Sequence, residues 1–135
     1  MSQNQENQKE FDIWNLQKKN IHSTEKRVYF HEREIWFCRL GLNVGFEQDG
    51  RGEEFLRPVI ILKKFNNEVC WCIPLTKTKK KNKYYYKFLF NNEEESTVIL
   101  SQIRLIDVKR LQYKIGAVPK SDFDEIKKIL KQFLE

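Results

Sequence analysis

The sequence lacks the features that would assign it to a membrane or to a secreted disulfide scaffold. No apolar run approaches the ~20 residues needed to span a bilayer. The N-terminal stretch MSQNQENQKE contains no apolar signal-peptide core. The three cysteines are an odd number without a framework of pairs. These absences predict a cytoplasmic protein that has reduced thiols and no membrane interaction.

Easily recognised catalytic and metal-binding motifs are also missing. The sequence has no Ser-His-Asp, Cys-His or HExxH arrangement and no GxxxxGK[ST] phosphate loop. Cys38, Cys70 and Cys72 do not combine with the two histidines in a zinc-ligand spacing. We therefore expect buried cysteines that act as small apolar residues, and a function that needs neither a metal nor a cofactor.

Positive charge, by contrast, is in surplus. The formal net charge is +6 at pH 7, which attracts polyanions such as RNA or DNA, although simple solubility is an alternative. A basic stretch follows Thr76 and leads into Tyr84-Tyr85-Tyr86. Lysines can follow a phosphate backbone and tyrosines can stack on bases, or the segment is a solvated hairpin whose alternate tyrosines fill the core. The candidate RNA-binding lysines are Lys77, Lys79, Lys80 and Lys81.

The apolar pattern predicts one small domain that is mainly β. Five runs are typical of short strands, namely EIWFCRL, RPVIILKK, EVCWCIPL, NKYYYKFLF and STVILSQIRLID, the last with a bend at Ser101. Asn66-Asn67 predicts a hairpin turn between the second and third runs. Short consecutive strands of this kind indicate a strongly bent antiparallel sheet or small barrel.

A helix is predicted near each end of the chain. Phe11, Trp14, Lys18 and Ile21 have helical spacing, which predicts a helix over about 11–21 that packs on the domain or on a partner. A C-terminal helix is predicted to start at Ser121 as its N-cap. Its apolar stripe consists of Phe123, Ile126, Leu130 and Phe133. The predicted organisation is a disordered tail over 1–10, a helical extension over 11–32 and the main domain over 33–135.

Cleavage of RNA is one reaction that needs no cofactor, because the substrate supplies its own 2′-OH nucleophile. The protein must orient that group, stabilise charge on the phosphoryl oxygens and assist proton transfer. Arg57 and Thr76 each lie at the end of a predicted strand. The guanidinium fork matches two phosphate oxygens and the hydroxyl adds a donor. Without further support, Arg57 is more often a salt-bridge partner and Thr76 is more often a strand cap.

Four segments, in order, make the sequence resemble the MazF/PemK family of toxin endoribonucleases: REIWFCRLGLNVGFEQDG, RPVIILKKFN, CWCIPLT and SQIRLIDVKRL. The resemblance runs from about Arg33 to the C-terminal helix. It implies an SH3-like barrel with a C-terminal helix, to which the N-terminal helix is an addition. It also implies a homodimer that cuts single-stranded RNA without a metal and leaves a 2′,3′-cyclic phosphate. A cognate antitoxin protein is implied as an inhibitor that covers the RNA site.

By the same resemblance, Arg57 matches the family's catalytic arginine before proline, and Thr76 matches the threonine that ends the third strand. Glu47 and Gln48 match a loop pair that closes the RNA groove. Gln102 and Arg104 match a QxR group near the groove. The segment 43–56 is then a mobile flap beside the groove.

The sequence departs from the family pattern at several positions. The link between Gln48 and Arg57 is longer than usual, Phe46 replaces a histidine found in some members, and Ile99 and Ser101 replace an Arg-x-Asp pair. Proton transfer therefore has several candidates, with Glu47 as a base and Arg57 or Thr76 as assistants of the leaving group. Two other functions compete with cleavage, a toxin of this fold that poisons DNA gyrase and an RNA-binding module that does not cut.

Overall fold

The computed structural model describes residues 2–23, 27–41, 56–77, 81–90 and 94–135. Within these ranges it contains two α-helices, seven β-strands and two short 3₁₀ turns. The elements are α1 (Ser2–Ser23), β1 (Glu34–Arg39), β2 (Leu56–Lys64), β3 (Val69–Thr76), β4 (Tyr85–Phe90), β5 (Glu94–Ile99), β6 (Arg104–Asp107), β7 (Leu111–Ala117) and α2 (Lys120–Phe133), with 3₁₀ turns at Leu100–Gln102 and Val108–Arg110. The predicted fold class, mainly β with a helix at each end, is confirmed.

The sheet is antiparallel and its hydrogen-bonded order is β4-β5-β3-β2-β1-β7, with β6 paired to β3. The strand β3 pairs with β2 along one edge and with two strands along the other, where its first half pairs with β6 and its last residues pair with β5. Among the described residues no backbone pairing joins β4 to β7, so the hydrogen-bonded path is open. Side chains nevertheless bring these two edges together, since a Cβ atom at Gly116 in β7 would lie 2.7 Å from the Phe90 ring in β4.

The central strand β2 is apolar on both faces because both faces are covered. Val59, Ile60 and Ile61 are fully buried in succession, as expected for a strand between two apolar layers. Val59 and Ile61 belong to a cluster with Cys38, Cys70 and Cys72, whereas Ile60 belongs to a cluster that includes residues of α2. The prediction that the cysteines are buried apolar residues is confirmed.

Two predicted connections can be compared with the structure. The turn between β2 and β3 is confirmed: the Asn66 Oδ1 accepts hydrogen bonds from the backbone N–H groups of Glu68 at 2.7 Å and Val69 at 2.9 Å. The run STVILSQIRLID is not one bent strand, however. The 3₁₀ turn at Leu100–Gln102 divides it into β5 and β6, which pair with different parts of β3.

The C-terminal helix α2 covers one face of the sheet. Phe123 and Ile126 are buried and Leu130 is partly buried, whereas Phe133 is 38% exposed, so the predicted apolar stripe is confirmed over its first three members. The predicted N-cap is wrong: the helix begins at Lys120 and Pro119 occupies the N-cap position without a side-chain cap. Ser121 lies in the first turn instead. A preceding proline suits this position because its fixed φ leads directly into helical geometry.

The N-terminal helix α1 begins at Ser2, earlier than the predicted start at residue 11, and thus includes most of the segment predicted to be a disordered tail. The segment is rich in Gln, Glu and Lys, which favour helices intrinsically. Trp14 and Ile21 are buried, but Phe11 is 43% exposed, so the predicted apolar face is only partly used. None of the described helices is long and apolar enough to cross a membrane.

Trp14 docks α1 onto the end of β1. Gly41 has a φ of +72°, and a Cβ atom at this residue would overlap the Trp14 ring. On the other side of the ring, the Arg110 guanidinium lies 5.7 Å from the ring centroid, within the range of a cation–π contact. Lys109 Nζ also donates to the backbone oxygen of His22 at 3.0 Å. Of the two predicted alternatives, α1 therefore packs on its own domain.

Glu34 anchors the start of β1 through a network of donors. Its carboxylate accepts hydrogen bonds from the backbone N–H of His31 at 2.7 Å and the Trp36 indole at 3.1 Å, and Lys114 Nζ lies 2.9 Å away. Partial burial by itself raises the pKa of Glu34. The donors, led by Lys114, outweigh burial and bring the pKa below its usual value.

Candidate active site

Arg57 and Thr76 are brought together at one end of the sheet. Arg57 is the second residue of β2 and Thr76 is the last residue of β3. Val59 lies opposite Pro74, and the same antiparallel register, carried on to the strand ends, puts Arg57 opposite Thr76. Directly opposite residues of an antiparallel pair point to the same face and have Cβ atoms about 5 Å apart. The sheet therefore places a guanidinium and a hydroxyl side by side.

The guanidinium of Arg57 is held in place rather than projecting freely. Its Nη1 donates to the backbone oxygen of Leu75 at 3.0 Å. Only 7% of the residue is exposed, because β2 is flanked by β1 and β3 and Cys38 lies opposite on the β1 side. A fixed, partly desolvated cation stabilises a phosphoryl group more strongly than a mobile one in water.

Both residues line a groove of about 540 Å³ that crosses the ends of β1, β2, β3 and β5. Its wall consists of Phe37, Leu56, Arg57, Pro58, Leu75, Thr76, Lys77 and Ser96. Because side chains alternate along a strand, Pro58 and Leu75 extend to the opposite face from Arg57 and Thr76. The groove reaches both faces since it lies at the ends of β2 and β3. Its volume is in the range of small-ligand sites, and its lining combines an apolar wall with cations and hydroxyls.

The sequence did not identify the residues that β5 contributes. Thr97 lies directly opposite Thr76, and it is 2% exposed. Ser96 lines the groove. In the sequence, these residues are only two hydroxyl side chains at the start of a predicted strand. Their positions do not indicate that this strand pairs with the end of β3.

Gln102 and Arg104 do not lie with Arg57 and Thr76 at the end of β3. Arg104 lies opposite Cys72, four residues before Thr76, which corresponds to about 13 Å along an extended strand. Gln102 is half-buried in the 3₁₀ turn before β6. Neither residue lines the groove at Arg57, and their role in RNA binding stays a prediction.

Of the candidate lysines that the structure describes, Lys77 is the one in the groove with the two strand-end residues. It lines the groove, is exposed, and its Nζ is 2.9 Å from Glu94 Oε1. Lys81 is exposed. The other candidates, Lys79 and Lys80, together with Phe46, Glu47 and Gln48 and most of the predicted flap 43–56, lie outside the described residues.

The tyrosines after the lysines contact α2. Tyr84 packs against Phe133 with ring centroids 5.6 Å apart. The Tyr86 hydroxyl donates to Asp122 Oδ1 at 2.7 Å, and its ring packs on the core. Burial and this hydrogen bond raise the pKa of Tyr86 to about 12. For these two tyrosines, the structure therefore favours the predicted packing alternative over base stacking.

The buried thiols are unsuited to nucleophilic chemistry. Burial raises the pKa of both Cys38 and Cys70 to about 12, and it raises the pKa of Cys72 as well. A thiol reacts as its thiolate, which is scarce under these conditions. The described cysteines, histidines and carboxylates also form no group of three that could hold a metal ion.

A family profile described as "PemK-like, MazF-like toxin of type II toxin-antitoxin system" matches residues 31–134. The match begins after α1 and includes every strand described above. No match to the chain is found among curated protein sequences.

Solved structures share the fold at low sequence identity. MazF from Deinococcus radiodurans superposes with a TM-score of 0.62 at 15% identity, over 79% of this chain and 98% of that one. A MazE-MazF structure from the same organism gives a TM-score of 0.62 at 18% identity, over 79% and 97%. An endoribonuclease in complex with its cognate antitoxin from a mycobacterial species gives 0.59 at 14% identity, over 78% and 95%.

Proposed function

This chain belongs to the PemK-like, MazF-like toxin family of type II toxin-antitoxin systems, and on that premise we propose that it is an endoribonuclease that cleaves single-stranded RNA without a metal ion. The observation that carries the proposal is the juxtaposition of Arg57 and Thr76 at the groove. The proposed substrate is mRNA, and the proposed site of action is the cytoplasm.

In the proposed reaction the 2′-oxygen of the RNA attacks the adjacent phosphorus. A bond forms between the 2′-oxygen and phosphorus, and the bond from phosphorus to the 5′-oxygen of the next nucleotide breaks. The products are a 2′,3′-cyclic phosphate and a free 5′-hydroxyl. Arg57 stabilises the negative charge that concentrates on the phosphoryl oxygens, and the Thr76 hydroxyl supplies a second donor.

Two proton transfers accompany these steps, one from the 2′-hydroxyl and one to the 5′-oxygen. Arg57 is a poor base because a guanidinium keeps its proton at neutral pH. Glu47 is our candidate base, and Thr76 is a candidate to assist the leaving group. Gln48 and Phe46 are assigned to RNA contact beside Glu47.

The decisive experiment incubates purified protein with a long RNA in the presence of EDTA and maps the cut ends. We expect cleavage in EDTA and cyclic phosphate termini. Arg57→Ala and Thr76→Val should each reduce the rate by about 10²–10³-fold, which is typical for loss of one positioned donor. Thr76→Ser, which keeps the hydroxyl, should retain most of the activity.

Arg27→Ala is the matched control, because Arg27 pairs with Asp107 on another part of the surface. This variant should cut at the wild-type rate. Full activity in Arg57→Ala and Thr76→Val, with both variants folded, would remove the proposed site. RNA that stays intact while DNA breaks accumulate in cells would favour a gyrase poison instead.

The lysines that flank the groove give a second test through salt dependence. Each phosphate contact to a single strand lowers log K by about 0.7 per unit of log salt concentration. Replacing Lys77 should make the slope of log K against log salt concentration less steep by about 0.7, the value for one contact. Replacing Lys79, Lys80 and Lys81 together should flatten it further, and an unchanged slope would make this hairpin a solvated edge.

A cognate antitoxin is the proposed protein partner. Structural neighbours include MazE-MazF from Deinococcus radiodurans and an endoribonuclease with its cognate antitoxin. We propose that the antitoxin of this chain inhibits it by covering the groove at Arg57. Co-purification with the antitoxin should abolish cutting and protect Lys77 from amine-modifying reagents.

A second copy of the chain is the other proposed partner, and it would use a second groove of about 690 Å³ between α2, β3 and β6. Large apolar side chains are exposed there: Trp71 (43%), Leu105 (58%) and Leu134 (89%). Contiguous exposed apolar surface marks interaction sites. Among the described residues β6 pairs along one edge only, which suits self-complementary pairing about a twofold axis.

The dimer proposal predicts that Leu105→Glu lowers the molar mass in sedimentation equilibrium. The control is Leu89→Glu, because Leu89 is equally exposed at 52% but lies on β4, outside this groove. A wild-type protein that is monomeric at all concentrations would contradict the proposal.

A further inference from the structure

A row of apolar side chains crosses the sheet beside the candidate active site. Tyr113 of β7 lies directly opposite Phe37 of β1, and Phe37 lies directly opposite Pro58 of β2. The rings of Phe37 and Tyr113 are 5.0 Å apart between centroids and inclined by 36°. Pro58 adjoins Arg57 in the chain but extends to the other face of the sheet, so the row and the guanidinium meet at the groove, which both Phe37 and Arg57 line.

This aromatic pair is not required by the core. Tyr113 is 51% exposed and Phe37 is half-buried. Neither residue belongs to the two buried clusters that fill the sheet. Phe37, by contrast, lines the groove that contains Arg57 and Thr76. Other aromatic side chains make contacts elsewhere, with Tyr84 against α2 and Trp14 of α1 against Arg110.

We propose that Phe37 and Tyr113 form a stacking platform for a base that flanks the scissile phosphate. The inference rests on the proposed function, since it supplies a base subsite for the same RNA. The strand β7 lies two strands from β2, about 10 Å across a sheet, and Phe37 of the platform lines the same groove as Arg57. The platform is therefore within reach of a nucleotide neighbouring the phosphate held at Arg57.

Single-stranded RNA is the occupant that fits this surface best. Its bases are unpaired and expose apolar π-faces that stack on aromatic side chains. Phe37 belongs both to the platform and to the lining of the cationic groove, where the phosphate would lie. Aromatic rings at one end and a guanidinium at the other match the alternation of base and phosphate along one strand.

The test uses the inactive Thr76→Val protein, so that RNA is bound but not cut. Binding of a fluorescent single-stranded oligonucleotide that contains the mapped cleavage site is measured by anisotropy. Tyr113→Ala should weaken binding by about ten-fold, the usual loss for one stacked base. Tyr113→Phe should bind as the parent does, because it keeps the ring. Phe37→Leu, which keeps the apolar volume without the π-face, should also weaken binding.

The matched control is Tyr29→Ala, because Tyr29 is 79% exposed and packs on Lys64, away from the groove. Its affinity should equal that of the parent. Oligonucleotides with a single abasic nucleotide then locate the base. At one position next to the cleavage site, removal of the base should cancel the effect of Tyr113→Ala, because the contact is already absent.

Three results would overturn the inference, and they can be told apart. If Tyr113→Ala and Phe37→Leu bind every oligonucleotide as tightly as the parent, the platform is wrong while the proposed ribonuclease stands. If Tyr113→Ala instead changes the molar mass of the protein, this face is a protein interface. If the parent binds no RNA and the wild type cuts none, the proposed function itself has failed, and the platform fails with it.

Discussion

Replacement of Trp14 by alanine tests whether α1 is an integral part of the domain. Trp14 is 4% exposed, and burial of about 200 Å² of tryptophan surface at about 25 cal/mol per Å² sets an upper bound of about 5 kcal/mol. Measured costs of buried Trp→Ala changes are about 3–5 kcal/mol. We take the lower end, about 3 kcal/mol, because the helix lies at the edge of the domain and can collapse onto the vacated space.

A double-mutant cycle with Gly41 identifies the contact itself. Gly41→Ala in the wild-type background should cost about 1 kcal/mol for an L-residue in left-handed geometry, plus the cost of displacing the Trp14 ring that the new Cβ overlaps. In the Trp14→Ala background the ring is absent and only the backbone cost remains. The two substitutions should therefore be non-additive by about 1 kcal/mol or more.

The assay is urea unfolding followed by far-UV circular dichroism at one protein concentration. Leu16→Ala is the control, because Leu16 lies on the same helix but is 62% exposed and should cost under about 0.5 kcal/mol. A Trp14→Ala variant as stable as the Leu16→Ala variant would show that α1 is not docked. Strict additivity of the Trp14 and Gly41 substitutions would refute the contact between them.

Three further predictions concern protonation and polar contacts. The folded-state pKa of Glu34 is lowered. The ionised carboxylate therefore stabilises the folded protein above the unfolded pKa of about 4.3, and this stabilisation is lost as pH falls through the folded value. In urea titrations, Glu34→Gln should therefore lower the free energy of unfolding by about 2 kcal/mol at pH 7 and match the wild type at low pH. The same loss at every pH would contradict this. Cys38 and Cys70, with pKa values of about 12, should resist a thiol-reactive disulfide reagent at pH 8 until urea unfolds the protein, and rapid native labelling would refute their burial. Tyr86→Phe should lose about 1 kcal/mol through its bond to Asp122, and it should show no loss when Asp122→Ala is already present.

Much of the fold follows from local patterns. The run Val59-Ile60-Ile61 forms a central strand because β-branched residues favour extended backbone and are buried on both faces. The stripe on α2 repeats with helical period, and Asn66 supplies the side-chain acceptor that the β2–β3 turn needs. Local propensity failed at the start of α2, where Pro119 and not Ser121 occupies the N-cap position.

The candidate site was predictable only in part. Arg57 and Thr76 come together because β2 and β3 are joined by a short turn, so their pairing is a local event along the chain. Thr97 joins them only through the pairing of β3 with β5. Tyr113 meets Phe37 only because β7 returns to lie beside β1. Neither pairing has a signal in the spacing of residues along the sequence.

Local sequence patterns predict most of the strands, the C-terminal helix, and the cation and hydroxyl at the ends of two strands. These properties depend on neighbours within a few residues, where backbone sterics and side-chain alternation act directly. Which strands lie side by side, and thus which residues line the groove at Arg57, depends on the tertiary fold. Pairing between distant segments is selected by the simultaneous burial of both faces of the sheet, and that burial is a property of the whole chain rather than of any one segment.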